Sequence, residues 1–219
     1  MTWYAKRTGA YYMGSLEADS NAQEALNMLM NNYGWTKAAC CGMFGNIDFE
    51  GQWNPWRWEN DNVLSYNAAL TTSYGMGLIG WTPARKYFLN NATVNGVVLF
   101  PNYDQEHYPG YGPNFSDRTG LATDGAAQIK LIGEAMARSS GNMWVQRKAC
   151  TAHEFTQLTD PEDALYYWLW NAEYPANIQQ EEIRRAGHGQ AWYNHIGGPS
   201  RFPLILLLKK GNDHNNGLL

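Results

Sequence analysis

The first sustained periodicity lies in residues 16–32, where Leu16, Ala22, Ala25, Leu26, Leu29 and Met30 recur at the spacing of one helix face. Ser15 stands before the run as an N-cap, acids occupy the first turn and Gly34 follows as a stop, so the pattern predicts a helix over 16–32. Thr36 opens a second helix, "KAACCGMFGNIDFE", in which Ala39, Met43, Ile47 and Glu50 fall on or near one stripe. Gly42 and Gly45 each weaken an isolated helix by about 1 kcal/mol relative to Ala. Their expected use is close approach of a neighbouring helix. Asn54-Pro55 disfavours continuation, so this helix should stop around Glu50–Gly51, with Glu50 projecting from its C-terminal end.

Residues 52–82 lose the helical period and are rich in Trp, Asn, Tyr and Gly, which suits short strands or a long hairpin. Pro83 in a first-turn position predicts a helix over 83–90. Tyr, Pro and Gly turns over 92–120 read as an excursion or flap. Helical patterning returns over 124–139, again from Thr159-Asp160-Pro161 to just before Pro175, and over 178–196. "GGPS" at 197–200 breaks the pattern, residues 201–209 are strand-like, and "GNDHNNGLL" reads as disordered or cut from a longer chain. No internal repeat is evident. The expected fold class is α+β, mainly helical, with a small β or irregular lobe between the second and third helices. The expected organisation is an N-terminal arm over 1–14, a main domain over 15–199 and a tail or linker over 200–219.

A chain of 219 residues suits one large domain, or one domain with extensions. Charged residues make up 16%, below the usual quarter, while ten Trp and fourteen Tyr are many for this length. Tyr and Trp pair an apolar face with a hydrogen-bonding edge. Their abundance fits either an aromatic core or a groove for sugars and other flat polar ligands. A net charge of −4 with no basic stripe argues against nucleic-acid binding. "PLILLL" (203–208) is too short to span a bilayer. "MTWYAKRTGAYYMG" lacks the continuous apolar stretch of a signal peptide. Cys40, Cys41 and Cys150 do not form a disulfide framework by count or spacing, and are expected as buried free thiols. They also lack metal-ligand spacing, and no metal or other cofactor is expected.

Candidate chemistry centres on residues 45–58, "GNIDFEGQWNPWRW". A carboxylic acid can protonate the leaving oxygen of a glycosidic bond if it holds its proton near neutral pH. Apolar neighbours favour that state, as does the partly negative end of a helix dipole. Phe49, Trp53 and the helix end would supply this setting for Glu50. The plainer reading is a helix-end glutamate on the surface, and spacing alone leaves both open.

The wider pattern is more specific. "GWTKAACCGMFGNIDFEGQWNPWRWENDN" (34–62) followed by "SYGMGLIGWTPARKY" (73–87) resembles the phage tail lysozyme family, through Gly45-Asn46, Glu50, Asn54-Pro55, Arg57-Trp58, Asp61-Asn62, Gly77-Leu78 and Trp81-Thr82-Pro83. "AAQIKLIGEAM", "FTQLTDPEDALYYWLWNAEYP" and "RRAGHGQAWYNHI" are similar to later helices of the family, which extends the resemblance to residues 33–196. The resemblance implies a lysozyme-like fold and peptidoglycan as substrate. It also implies partnership with other phage tail proteins in the virion, and Glu50 as the catalytic acid of a lysozyme or lytic transglycosylase. Three positions depart from the family pattern: Gly51 stands where Ser usually follows the acid, Gly80 where Gln usually precedes Trp, and Tyr174 where Arg is usual.

Asp61 is the expected second catalytic group on resemblance, with Glu59 and Asp48 as rivals. Its plainer reading is a turn residue in "ENDN". A lytic transglycosylase needs no second carboxylate. Substrate contacts are expected from Trp53, Tyr74, Gly75, Gly77 and Trp81, the glycines permitting close ligand approach. Trp56 and Trp58 are expected in the core. Glu173 is expected in a buried ion pair with Arg184 or Arg185. The competing functions are a non-catalytic glycan-binding or structural tail module, a metal peptidase through His107, His153, His188 and His195, and a cysteine peptidase through Cys40 or Cys41. The histidines lack a paired motif, since Gln157 stands where "HE" at 153–154 would need a second His.

Overall fold

Ser15 and Thr36 each turn a side-chain oxygen onto the amide three residues on, and these caps start the two helices that organise the molecule. The computed structural model describes residues 3–6, 8–62, 68, 72–82, 93–94, 97–98, 118–119, 122–137 and 143–196. Helix α1 is Leu16–Tyr33 and α2 is Lys37–Ile47. They are followed by α3 (Ala122–Ala137), α4 (Ala152–Thr156), α5 (Pro161–Trp168), α6 (Ile178–Arg185) and α7 (His188–His195). Short antiparallel pairs join β1 (Tyr4–Ala5) to β4 (Arg118–Thr119), and β2 (Thr93–Val94) to β3 (Val97–Val98). The fold is therefore α+β and mainly helical, as the patterning predicted. The helix expected over 83–90, most of the excursion over 92–120 and the tail from 200 lie outside the described residues.

Helix α2 is the central element, buried from Ala38 to Ile47 and packed against α5, α7, α1 and α4. A Cβ at Gly42 would lie 2.4 Å from the Ala164 Cβ, and one at Gly45 would lie 2.5 Å from the Leu165 Cδ1. The two glycines thus give up helix propensity to seat α5 at close range. Beside them Phe44, Trp53 and Trp192 pack edge to face or tilted, with ring centroids 4.8–5.9 Å apart. A second aromatic group, Trp35, Phe155 and Trp168, fills the far end.

Three elements differ from the pattern. Helix α2 ends at Ile47, earlier than expected, because Phe49 and Glu50 donate their amides to Asn46 and Ile47 in tighter three-residue bonds. Glu50 consequently sits in a turn just beyond the helix. The stretch 178–196 is two helices, broken where Gly187 takes φ +87°. Helix α5 runs on as a π-helical turn over Leu169–Glu173. The N-terminal arm is docked against the body: Trp3 and Ala5 are buried, and Asn21 of α1 brackets Tyr4 with both halves of its amide.

Candidate active site

The turn that follows α2 brings the catalytic candidates together. Gly51 lets it lie directly on the segment 76–81: the Gly51 amide donates to the Leu78 carbonyl, and a Cβ at Gly51 would lie 2.2 Å from the Gly77 oxygen. A side chain here would have to displace the segment 76–81. Met76 bridges both Trp58 and Trp81. Buried Gln128 of α3 locks the segment from behind, accepting from the Leu78 amide and the Trp81 indole and donating to the Pro55 carbonyl.

Glu50 is half-buried, its side chain 27% exposed, so it is reachable from solvent yet held by protein. Its Oε1 accepts from the Arg185 Nη2 at 2.6 Å. Its Oε2 faces Gly80, where a Cβ would lie 3.0 Å away. Gly80 also takes φ +58°, a conformation L side chains rarely adopt, so a Gln here would be strained in its backbone and would crowd the Glu50 carboxyl.

Arg185 is almost completely buried and serves several acceptors: Glu50, Glu173 through Nη1 at 2.5 Å, Glu181 through Nε at 3.0 Å, and the Asn46 carbonyl oxygen through Nη1 at 3.0 Å. The expected ion pair of Glu173 is thus made with Arg185. Asn46 is oriented for this by donating to the Gly42 and Leu165 carbonyls. The Phe49 ring lies 5.3 Å from the Arg185 guanidinium and 4.7 Å from that of Arg184, covering the ion pairs with an apolar face. Burial, followed by the repulsion of Glu50, pushes the Glu173 carboxyl well above the usual range.

The rival carboxylates are occupied. Asp48 accepts from the indoles of Trp53 and Trp192 and faces the His188 Nδ1, and its burial raises its pKa against those bonds. It fastens the end of α2 to the aromatic core. Glu59 accepts the Gly75 amide. Asp61 takes two bonds from Arg57, at 2.9 and 3.2 Å, and a third from the Gly9 amide. The Arg57 bonds hold it below the usual carboxylate range, in spite of partial desolvation. Arg57 also donates to the Glu50 backbone carbonyl, so one guanidinium links the two expected catalytic residues.

The five expected substrate contacts divide. Tyr74 is 40% exposed and open to a ligand. Gly75 and Gly77 lie in the segment beside the acid but are buried, with Thr82 and Gln128 against them. Trp53 and Trp81 are core residues, at 0% and 7% exposure, with their indoles on Asp48 and Gln128. Trp56 and Trp58 are buried as expected. Arg185 beside Glu50, Asn46 and Gln128 build the candidate site, and sequence reasoning gave them no place in it. The last two had a signal, a polar side chain within an apolar helical run.

Among the described residues the alternative chemistries find no assembled site. His188 and His195 face Asp48 and Asp19 singly, and His107 lies outside the described residues. Among the described residues no group of three or more His, Cys, Asp and Glu is placed to hold a metal ion. Burial pushes the Cys41 thiol up to about 12 and raises that of Cys40 well above its ordinary value, which disfavours a nucleophilic thiolate at either. None of the described helices is long and apolar enough to cross a membrane.

The family described as phage tail lysozyme matches residues 20–196. Morphogenesis protein 1 of Bacillus phage B103 is 32% identical over 189 residues, which is 85% of this chain and 42% of that protein. The chain thus spans less than half the length of this relative.

Proposed function

Because the chain belongs to the phage tail lysozyme family, we propose that it cleaves the glycan strand of bacterial peptidoglycan with Glu50 as general acid. The observation that carries this reading is the asymmetric seating of one carboxyl group: Oε1 is fixed by buried Arg185, and Oε2 faces the space left by Gly80. An acid held at one oxygen presents the other in a defined direction, as proton delivery to a leaving group requires.

Asp61 enters as a fixed negative charge. Three hydrogen bonds reduce its basicity, which favours attack at the anomeric carbon by water or by the sugar's own hydroxyl over a covalent sugar–Asp61 intermediate. Tyr74, exposed on the segment beside the acid, is the stacking surface for a sugar ring. Trp53 and Trp81 act from the core, holding Asp48 and Gln128 rather than substrate. In this reading the chain opens the wall locally during infection, as part of a virion and in company with other tail proteins.

The test is digestion of purified peptidoglycan followed by mass spectrometry of the soluble products. New reducing ends identify a hydrolase, and anhydro-sugar ends identify a lytic transglycosylase. Binding to the wall without release of either product makes the chain a glycan-binding tail module and overturns the enzymatic reading.

A further inference from the structure

We propose that Glu173 is a positioning residue that governs the pH range over which Glu50 can act as an acid, because the two carboxyl groups share the single positive charge of Arg185. This inference rests on the reading of Glu50 as the acid.

The geometry is a cation divided between carboxylates. Arg185 gives Nη2 to Glu50 and Nη1 to Glu173, from a position 2% exposed to solvent. Glu181 takes the Nε, but it is also paired with Arg184 at 3.0 Å, and that second cation balances it. Arg57 reaches only the Glu50 backbone carbonyl and gives its charge to Asp61. His188, whose ring lies 4.6 Å from that of Phe49, faces Asp48. Among the described residues Arg185 therefore remains as the cation between the two acids, with the Phe49 ring over its guanidinium and the Trp168 indole bonded to Glu173.

Two carboxylates that share one buried cation compete for its charge, so the ionisation of one disfavours that of the other. When Glu173 is ionised it satisfies Arg185, and Glu50 is free to hold the proton. When Glu173 holds the proton, Arg185 draws Glu50 into the ionised form. Burial rests the proton on Glu173, whose side chain is 8% exposed against 27% for Glu50. A sugar that displaces water from Glu50 shifts the balance toward Glu50. The Glu173 carboxyl never meets substrate, and acts only through the charge it leaves on Arg185.

The experiment compares the wild-type chain with Glu50→Gln, Glu173→Gln and Glu173→Asp, following peptidoglycan solubilisation from acid to alkaline pH. Glu173→Gln cannot become an anion, so Arg185 holds Glu50 ionised. The alkaline limb of activity should move to lower pH by about one unit or more. Glu173→Asp, which can ionise, should bring the limb back toward the wild type. An active Glu173→Gln protein with an unmoved limb overturns this inference alone, whereas an inactive wild type or a fully active Glu50→Gln overturns the reading of Glu50. Carbon-13 NMR titration of the glutamate carboxyls in the wild-type protein needs neither activity nor a folded variant. Shared titration steps at Glu50 and Glu173 support the coupling, and independent single steps contradict it.

Discussion

At the scale of single residues, Arg185 and Arg57 decide what the acids around them can do. Each guanidinium fixes a carboxylate in direction, but only Arg185 is buried enough to escape most of the screening by solvent and salt. Asp61, 43% exposed, is held below the ordinary Asp range, and such a group stabilises the fold above its unfolded pKa near 3.8. That contribution disappears as pH falls through the lower folded value. Asp61→Asn should therefore lower the Tm at neutral pH, and the gap to wild type should close in acid. Glu173 runs the opposite way. Its folded pKa is raised from 4.5, so the folded chain binds the proton more tightly and stability declines as pH rises from that value through the folded one. Thermal melts should show Glu173→Gln gaining on the wild type across that window. An equal pH slope in both proteins would mean that Glu173 is not a buried titrating acid. The Glu173 ion pair was legible in the sequence. The Glu50–Arg185 bond was not, because it joins side chains 135 residues apart and local periodicity carries no information on such a pair. Trp53 looked like a groove residue for the same reason: nothing near it in sequence announces that Trp192 and Phe44 will enclose it.

At the scale of elements, α2 carries the site and its glycines set how closely the other helices approach. Gly42→Ala would place a methyl 2.4 Å from the Ala164 Cβ. It should cost about 1–3 kcal/mol in urea unfolding, the usual range for overpacking a filled core, where an exposed helical glycine would gain from the same change. Gly51→Ser should separate the turn after α2 from the segment 76–81, and so lower activity more than stability if that contact aims Glu50. Caps and stops made α1 and the start of α2 readable. The end of α2 was not, because three-residue bonds to Asn46 and Ile47 compete there with the helical pattern. The break at Gly187 was also missed: an "AGHG" run inside helical sequence signals weakness without saying whether tertiary contacts bridge it.

At the scale of the whole molecule, a mainly helical fold buries aromatic residues that composition alone divided evenly between core and groove. The core took Trp53, Trp56, Trp58, Trp168 and Trp192, each nearly or fully inaccessible, and left Tyr74 exposed. The family was readable because its motif block follows the backbone closely: Asn54, for instance, ties the arm to the turn after α2 through Lys6 and Gly9. The site's charge balance was not, since it emerges only when α6, α2 and the π-helical turn converge on Arg185.

The most direct test of the central claim is the rate at which purified peptidoglycan is solubilised by the wild-type chain and by Glu50→Gln, with circular dichroism confirming that both are folded. Loss of a positioned general acid should reduce the rate by about 10²–10⁴-fold while binding to the wall persists. A folded Glu50→Gln that solubilises the wall at the wild-type rate would show that the acid lies elsewhere.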